Sequence, residues 1–164
     1  FRSGDLHPRL PSLDWYGMLS TRESNPHALA AAEKALAIDD DLAEAHAALA
    51  VAKQNRWDWA GAEAAYRRAL ELSPTRAQTH QQYGTYLAFM GRCDEGLAHL
   101  KRAHQLDPVS LAISAQIALS LHCARRYEEA IAQCSRTLDV EPACDEARVY
   151  LMLSYVQWEC RRQR

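Results

Sequence analysis

The 164-residue sequence contains no run of about 18 apolar residues, so no part of it reads as a membrane-spanning helix. It also has no C-x-x-C pair. Its five cysteines, Cys93, Cys123, Cys134, Cys144 and Cys160, are odd in number and spaced like single thiols on helices. That pattern argues against a disulfide scaffold or a zinc ribbon, and a buried thiol of this kind acts as a small hydrophobe. Charge of one sign is not in excess, because 19 Lys and Arg stand against 21 Asp and Glu, a formal charge of −2. Neither nucleic acid nor an acidic membrane surface is therefore predicted as a partner.

Catalytic signatures are missing too: no H-E-x-x-H, no G-x-S-x-G and no glycine-rich phosphate loop occurs. His99 and His104 are five residues apart and do not share a helix face, and His122 beside Cys123 has no identifiable orienting acid. We expect no enzymatic activity, no cofactor and no metal. The chain starts at Phe1, with no Met and no basic-then-apolar leader, which reads as a piece of a longer cytoplasmic protein.

What is present is alanine, with 48% hydrophobic residues and only six glycines and six prolines, a composition that favours helices. Three blocks align without gaps: AEAHAALAVAKQNRWDWAGAEAAYRRALELSP, AQTHQQYGTYLAFMGRCDEGLAHLKRAHQLDP and LAISAQIALSLHCARRYEEAIAQCSRTLDVEP. Ala43, Ala77, Leu111 and Asp145 open successive units at 34-residue intervals, and Pro74, Pro108 and Pro142 close them. Small residues recur at Ala50, Gly84 and Ala118, at Ala62, Gly96 and Ala130, and at Ala69, Ala103 and Thr137, as close helix packing demands. Large apolar residues recur at Leu49, Tyr83, Ile117 and Leu151, and at Leu72, Leu106 and Val140, where they are expected to fill the gaps. His46 and His80 also share a column, which would put them roughly 8–10 Å apart on neighbouring first helices, too far for shared metal ligation.

This period, with two helical stretches per unit, resembles the tetratricopeptide repeat family over residues 26 to 158. The resemblance implies an all-α fold, a right-handed superhelix of antiparallel helix pairs. The expected order is an irregular N-terminal segment or cap (1–25), the second helix of a partial repeat (26–42), units at 43–76, 77–110 and 111–144, and at 145–164 the first helix of an unfinished repeat or a terminal helix. From Ala43 onward seven helices are predicted, about 43–56, 59–72, 77–90, 93–106, 111–124, 127–140 and 145–158. In the first segment Pro8 and Pro11 oppose a continuous helix, whereas Asn25 before Pro26 suits a helix start.

The resemblance further implies that the first helices line a concave groove. Val51, Gln54 and Asn55 would point into it from one unit, Gln78, Gln81, Thr85 and Phe89 from the next, then Ala115, Leu119 and His122, and finally Val149 and Leu153. That lining is neutral to apolar. Family members that grip the acidic C-terminal tails of heat-shock chaperones use Lys, Arg and Asn in this groove. Here the corresponding places hold Ala47, Val51, Gln82, Ala112 and Gln116, so free acidic tails are not expected to bind. A peptide or amphipathic helix with apolar anchors suits the groove instead, supplied by another protein or by another domain of the same chain.

The turn stretch WDWAGAEAAYRRALELSP raises a separate question. Trp59 falls in an apolar column with Cys93 and Tyr127 and is expected to pack a junction, whereas Trp57 replaces a turn glycine and is a candidate exposed anchor. The phrases YGMLSTRE, DDDLAEAHAALA and WDWAGAEAAYRRALELSP resemble repeat regions that follow effector domains in multidomain bacterial regulators, such as winged-helix transcription regulators, Ser/Thr kinases and nucleotide cyclases. The leading expectation is thus a non-catalytic scaffold for protein interaction within a bacterial regulator. The competing one is a self-association module, a homodimer formed through the C-terminal helix with its Tyr150, Leu151, Leu153, Tyr155 and Trp158.

Overall fold

A helix ends where its last carbonyls find donors, and this chain ends three helices by the same device. At positions 57, 91 and 125 the backbone turns left-handed, with φ of 65° at Trp57, 79° at Gly91 and 59° at Arg125. The next amide then reaches back five residues: Asp58 to the Lys53 carbonyl at 3.0 Å, Arg92 to Leu87 at 2.9 Å and Arg126 to Leu121 at 2.9 Å. This is the Schellman closure, which caps orphan carbonyls and reverses the chain in few residues. Only Gly91 adopts the left-handed region without steric cost; Trp57 and Arg125 each hold it against about 1–2 kcal/mol.

The computed structural model describes residues 21–163, which form eight helices and, among those described residues, no strand. They are α1 (Thr21–Ile38), α2 (Ala43–Gln54), α3 (Trp59–Leu72), α4 (Ala77–Phe89), α5 (Cys93–Leu106), α6 (Leu111–Cys123), α7 (Tyr127–Val140) and α8 (Asp145–Arg162). The architecture is an all-α helical-repeat solenoid. Two compact units divide between Ala69 and Leu70. No described helix is long and apolar enough to cross a membrane.

Each second helix of the three repeats begins with an i to i+3 tie, and the tie changes chemistry while keeping its place. Asp58 caps α3 by accepting the Gly61 amide at 2.9 Å, and a Cβ at Gly61 would make the Asp58 carboxylate shift from this position. The equivalent positions in α5 and α7 are forked ion pairs, Arg92 with Glu95 and Arg126 with Glu129. Each first helix is also tied at its start. His46 donates to the carbonyl of Asp40 at 2.8 Å, His80 donates to that of Pro74 at 3.1 Å, and Arg148 donates to that of Pro142, always six residues back. At the remaining unit Ser110 caps α6 instead, accepting from the Ile113 amide.

In the unit up to Ala69 the core among the described residues is almost all alanine, with Ala50, Ala62 and Ala69 at 0% exposure and Tyr66 as its one large member. The Tyr66 hydroxyl donates to the Gln54 side chain at 3.0 Å, which lets a phenol be buried among methyl groups. In the unit from Leu70, Leu97, Leu100, Ala103, Ile113, Ile117, Leu121 and Ala130 form one cluster, and Ala115, Ala118, Cys134 and Tyr150 a second. The small columns lie at closest helix contact. A Cβ on Gly84 would stand 2.8 Å from the Gly96 carbonyl oxygen, and one on Gly96 would stand 2.5 Å from that of Gly84. The α4/α5 hairpin is therefore packed backbone to backbone.

One turn from that contact, the Nδ1 atoms of His80 and His99 are 2.9 Å apart, and the Tyr83 ring centroid is 4.7 Å from that of His99. Because His80 spends its Nε2 proton on Pro74, its Nδ1 is left as the acceptor and His99 must donate. Burial, followed by the neighbouring His80, holds the His99 pKa below its ordinary value, with Glu95 opposing weakly.

Four sequence expectations are revised here. α1 starts at Thr21, so Pro26 lies within its second turn and not at the first helical position; the preceding TRES contains no helix-breaking residue, and only the bond from position 26 is forfeited. The remainder of the expected irregular segment, with Pro8, Pro11 and Trp15, lies outside the described residues. Val140 is 76% exposed and fills no gap, because among the described residues no further second helix follows α8 to cover it. α8 continues to Arg162 because Glu159, at the position of the left-handed turns, stays helical. The cysteines are mixed: all five are free, Cys134 is fully buried with its thiol pushed up to about 11 by burial, and Cys123 and Cys160 are exposed.

Two outcomes follow from the α4/α5 hairpin. Gly84→Ala should lower stability by about 1–3 kcal/mol in denaturant melts, even though alanine is the better helix former, because the added methyl meets backbone. Since His99 is easier to protonate unfolded than folded, the unfolded chain takes up more protons between the folded value and about 6.5, and stability falls as pH drops through that window. The melting temperature measured from pH 7.5 to 5 should therefore decline less steeply in His99→Gln than in the native chain.

Candidate interaction surface

First helices of successive repeats lie side by side in the unit from Leu70, α4 against α6 and α6 against α8. Their faces turned away from the second helices carry the residues singled out by sequence. Gln78 and Phe89 are exposed, the latter at 54%, and Gln81 and Thr85 are half-buried. Leu119 and His122 on α6 and Val149 on α8 are half-buried, and Leu153 is 39% exposed. This set forms a surface with apolar points on a polar ground.

Hydrogen bonds between neighbouring first helices hold the surface in place. Thr85 donates to the Gln116 side chain at 2.9 Å, joining α4 to α6, and His122 Nδ1 lies 3.0 Å from the Ser154 hydroxyl, joining α6 to α8. His122 is held below its ordinary pKa by burial, which favours the uncharged ring at neutral pH. These bonds hold the Thr85 and His122 side chains in place on the surface.

Ala115 does not belong to it. At 0% exposure it sits in the cluster with Ala118, Cys134 and Tyr150, because its register turns it into the stack. Leu119 packs against the same cluster and offers only part of its side chain. In the other unit, Val51 and Gln54 are half-buried and Asn55 exposed, with Gln54 already accepting from Tyr66. Trp57 is 67% exposed in its left-handed turn and meets Trp59 edge to face, with ring centroids 5.2 Å apart. Trp59 itself is half-buried.

His46 and His80, paired by column in the sequence, lie in different compact units, and each is engaged locally. The neighbour of His80 is His99, which column reasoning along first helices misses. A signal existed in the hairpin register, since the Gly84–Gly96 contact places residue 80 opposite residue 100, one position from His99. Among the described residues no group of three His, Cys, Asp or Glu could hold a metal ion.

No family model matches the sequence, and no curated protein does. Solved structures do. The chain superposes on PilF of Pseudomonas aeruginosa with a TM-score of 0.75 at 26% identity, over 87% of this chain and 66% of that one. It matches YrrB, described as a TPR protein with an unusual peptide-binding site, at a TM-score of 0.68 and 21% identity, over 93% of this chain and 78% of that one. It matches the first TPR of Spaghetti (RPAP3), solved bound to the HSP90 peptide SRMEEVD, at a TM-score of 0.65 and 14% identity, over 71% and 93% of the two chains. With its 34-residue hairpins and these neighbours, the chain has the tetratricopeptide-repeat fold.

Proposed function

We propose that this protein is a non-catalytic interaction scaffold that binds a peptide or helix of a partner protein on the face of its first helices. The observation that carries the reading is an exposed Phe89 and Leu153 on a polar ground that includes the Thr85–Gln116 and His122–Ser154 bonds. A partner segment with apolar anchors would seat on these points and satisfy its backbone on Gln78, Gln81 and His122. Solved structures of the same fold include one described by its peptide-binding site and one bound to a chaperone peptide, which supports a peptide-binding use of the scaffold.

The neutral lining makes the preferred partner different from an acidic tail. No Lys or Arg stands at Ala47, Val51, Gln82, Ala112 or Gln116. In the unit up to Ala69, Trp57 would serve as a separate anchor, since an indole exposed at 67% is costly to leave in water and gains on contact. The regulatory context extends the reading: the scaffold would dock partners for an effector domain in a larger bacterial regulator, and its support is the resemblance of WDWAGAEAAYRRALELSP to such regions. No catalytic role is assigned.

Affinity capture from a lysate of the source organism should retain a partner on the native chain and lose it on Phe89→Glu, a substitution at an exposed position that leaves the circular dichroism spectrum unchanged. Equal retention by both forms would overturn the reading. A free peptide ending in an acidic chaperone-type tail should give no saturable titration at micromolar concentration, and a micromolar dissociation constant would refute the assignment of a neutral docking face.

A further inference from the structure

Cys93 and Cys123 stand at facing ends of two neighbouring helices. Cys93 is the first residue of α5 and Cys123 the last of α6, and because these helices pack side by side in opposite directions, the start of one lies beside the end of the other. The Ser120 hydroxyl donates to the Cys93 carbonyl at 3.1 Å, and Ser120 lies one turn before Cys123 on α6. A helix carbonyl points toward the C-terminal end of its helix, so this bond places Ser120 just past Cys93 along α5. Because α6 runs the other way, Cys123 lies about 4.5 Å back, near the level of Cys93. Side chains tilt toward the N-terminus of their own helix, so in this antiparallel pair the two thiols lean toward each other.

The next repeat shows the same junction. Trp158 on α8 donates to the Glu128 side chain at the start of α7 at 3.1 Å, a pair with the same 30-residue separation as Cys93 and Cys123. Burial, followed by the neighbouring Cys93, holds the Cys123 thiol above its ordinary pKa, so Cys123 rests as a thiol at neutral pH and senses the charge of its neighbour. A small oxidant reaches both, since Cys93 is half-buried and Cys123 exposed, whereas Cys134 is fully buried. The Cys93 sulfur is 3.9 Å from the Ala88 carbonyl oxygen, a weak tie that leaves its rotamer free to change. At the equivalent places one repeat earlier and later the sequence has Trp59 with Phe89 and Tyr127 with Gln157, so of these three junctions one carries paired thiols.

We propose that Cys93 and Cys123 are a redox-modification site, forming a reversible disulfide with hydrogen peroxide as oxidant and clipping the start of α5 to the end of α6. In the first step one sulfur attacks the peroxide: the O–O bond breaks, the thiol becomes a sulfenic acid and one water leaves. In the second the other sulfur attacks the sulfenic acid: the S–S bond forms, the S–O bond breaks, and the departing oxygen takes the attacking thiol's proton to leave as a second water. Two electrons pass from the thiol pair to the peroxide, and a dithiol reductant returns them. The clip lies beside His122 at the edge of the docking face, yet it requires no partner and does not rest on the docking reading.

Peroxide treatment of the dilute native chain, followed by alkylation and non-reducing peptide mapping, tests it. Cys160, exposed on α8, serves as the reference surface thiol. The digest should contain a peptide joining Cys93 to Cys123 within one chain, with both residues lost to alkylation and both recovered after dithiothreitol. In Cys93→Ser and in Cys123→Ser, each folded by circular dichroism, that peptide should be absent while Cys160 is modified as before. Cys93 and Cys123 both still open to alkylation once Cys160 has reacted would overturn the proposal. So would oxidation of either to a sulfinic acid without linkage, or a disulfide joining either to a different cysteine.

Discussion

The close approach of two helices through small residues is the constraint on which the rest of this structure depends. When Gly84 and Gly96 bring α4 and α5 to backbone contact, the larger side chains on either side must interlock at fixed heights, and Leu97, Leu100 and Leu87 are buried as a result. The alanines at 118 and 130 impose the same spacing on α6 and α7, at 0% exposure. Interhelical distance is thus set by what is missing from the side chains. The large residues then fill the remaining space to the density typical of interiors.

Once spacing is fixed, polar ties can be short and local. The carbonyl at the unit boundary receives His46, His80 or Arg148, and the start of each second helix is held by Asp58 or by an Arg–Glu fork. Different side chains perform one geometric task, because the task is defined by the backbone and only its donor or acceptor is specified. The exposed Arg–Glu forks contribute little individually, as surface ion pairs do. Their value lies in orienting the helix start.

Much of this was legible in the sequence because the period repeats in phase: the small columns, the turn positions and the helix pairs all follow from a 34-residue spacing. The failures occur where a position lacks a neighbour that its column assumes. Val140 shares a column with Leu72 and Leu106, yet exposure depends on what packs over it and not on its own chemistry. Ala115 has a groove-like place in the repeat, but one step of helical register separates a groove residue from a stacked one. His99 escaped because contacts across a hairpin are governed by its register and leave no periodic trace along the chain. Glu159 replaces a turn residue with a good helix former, and that signal, although present, is only one residue deep.

The carbonyl ties also bear on how the chain reaches its fold. Nearly every polar bond described here spans fewer than about 35 residues, and the hairpins themselves close over shorter separations still, so little chain entropy is lost before contacts begin to compensate. A domain built in this way folds quickly and propagates from hairpin to hairpin without waiting for distant segments to meet. The same locality means that opening need not be global: a terminal helix can peel away while the hairpins behind it keep their own ties, giving amide protection that is graded along the sequence.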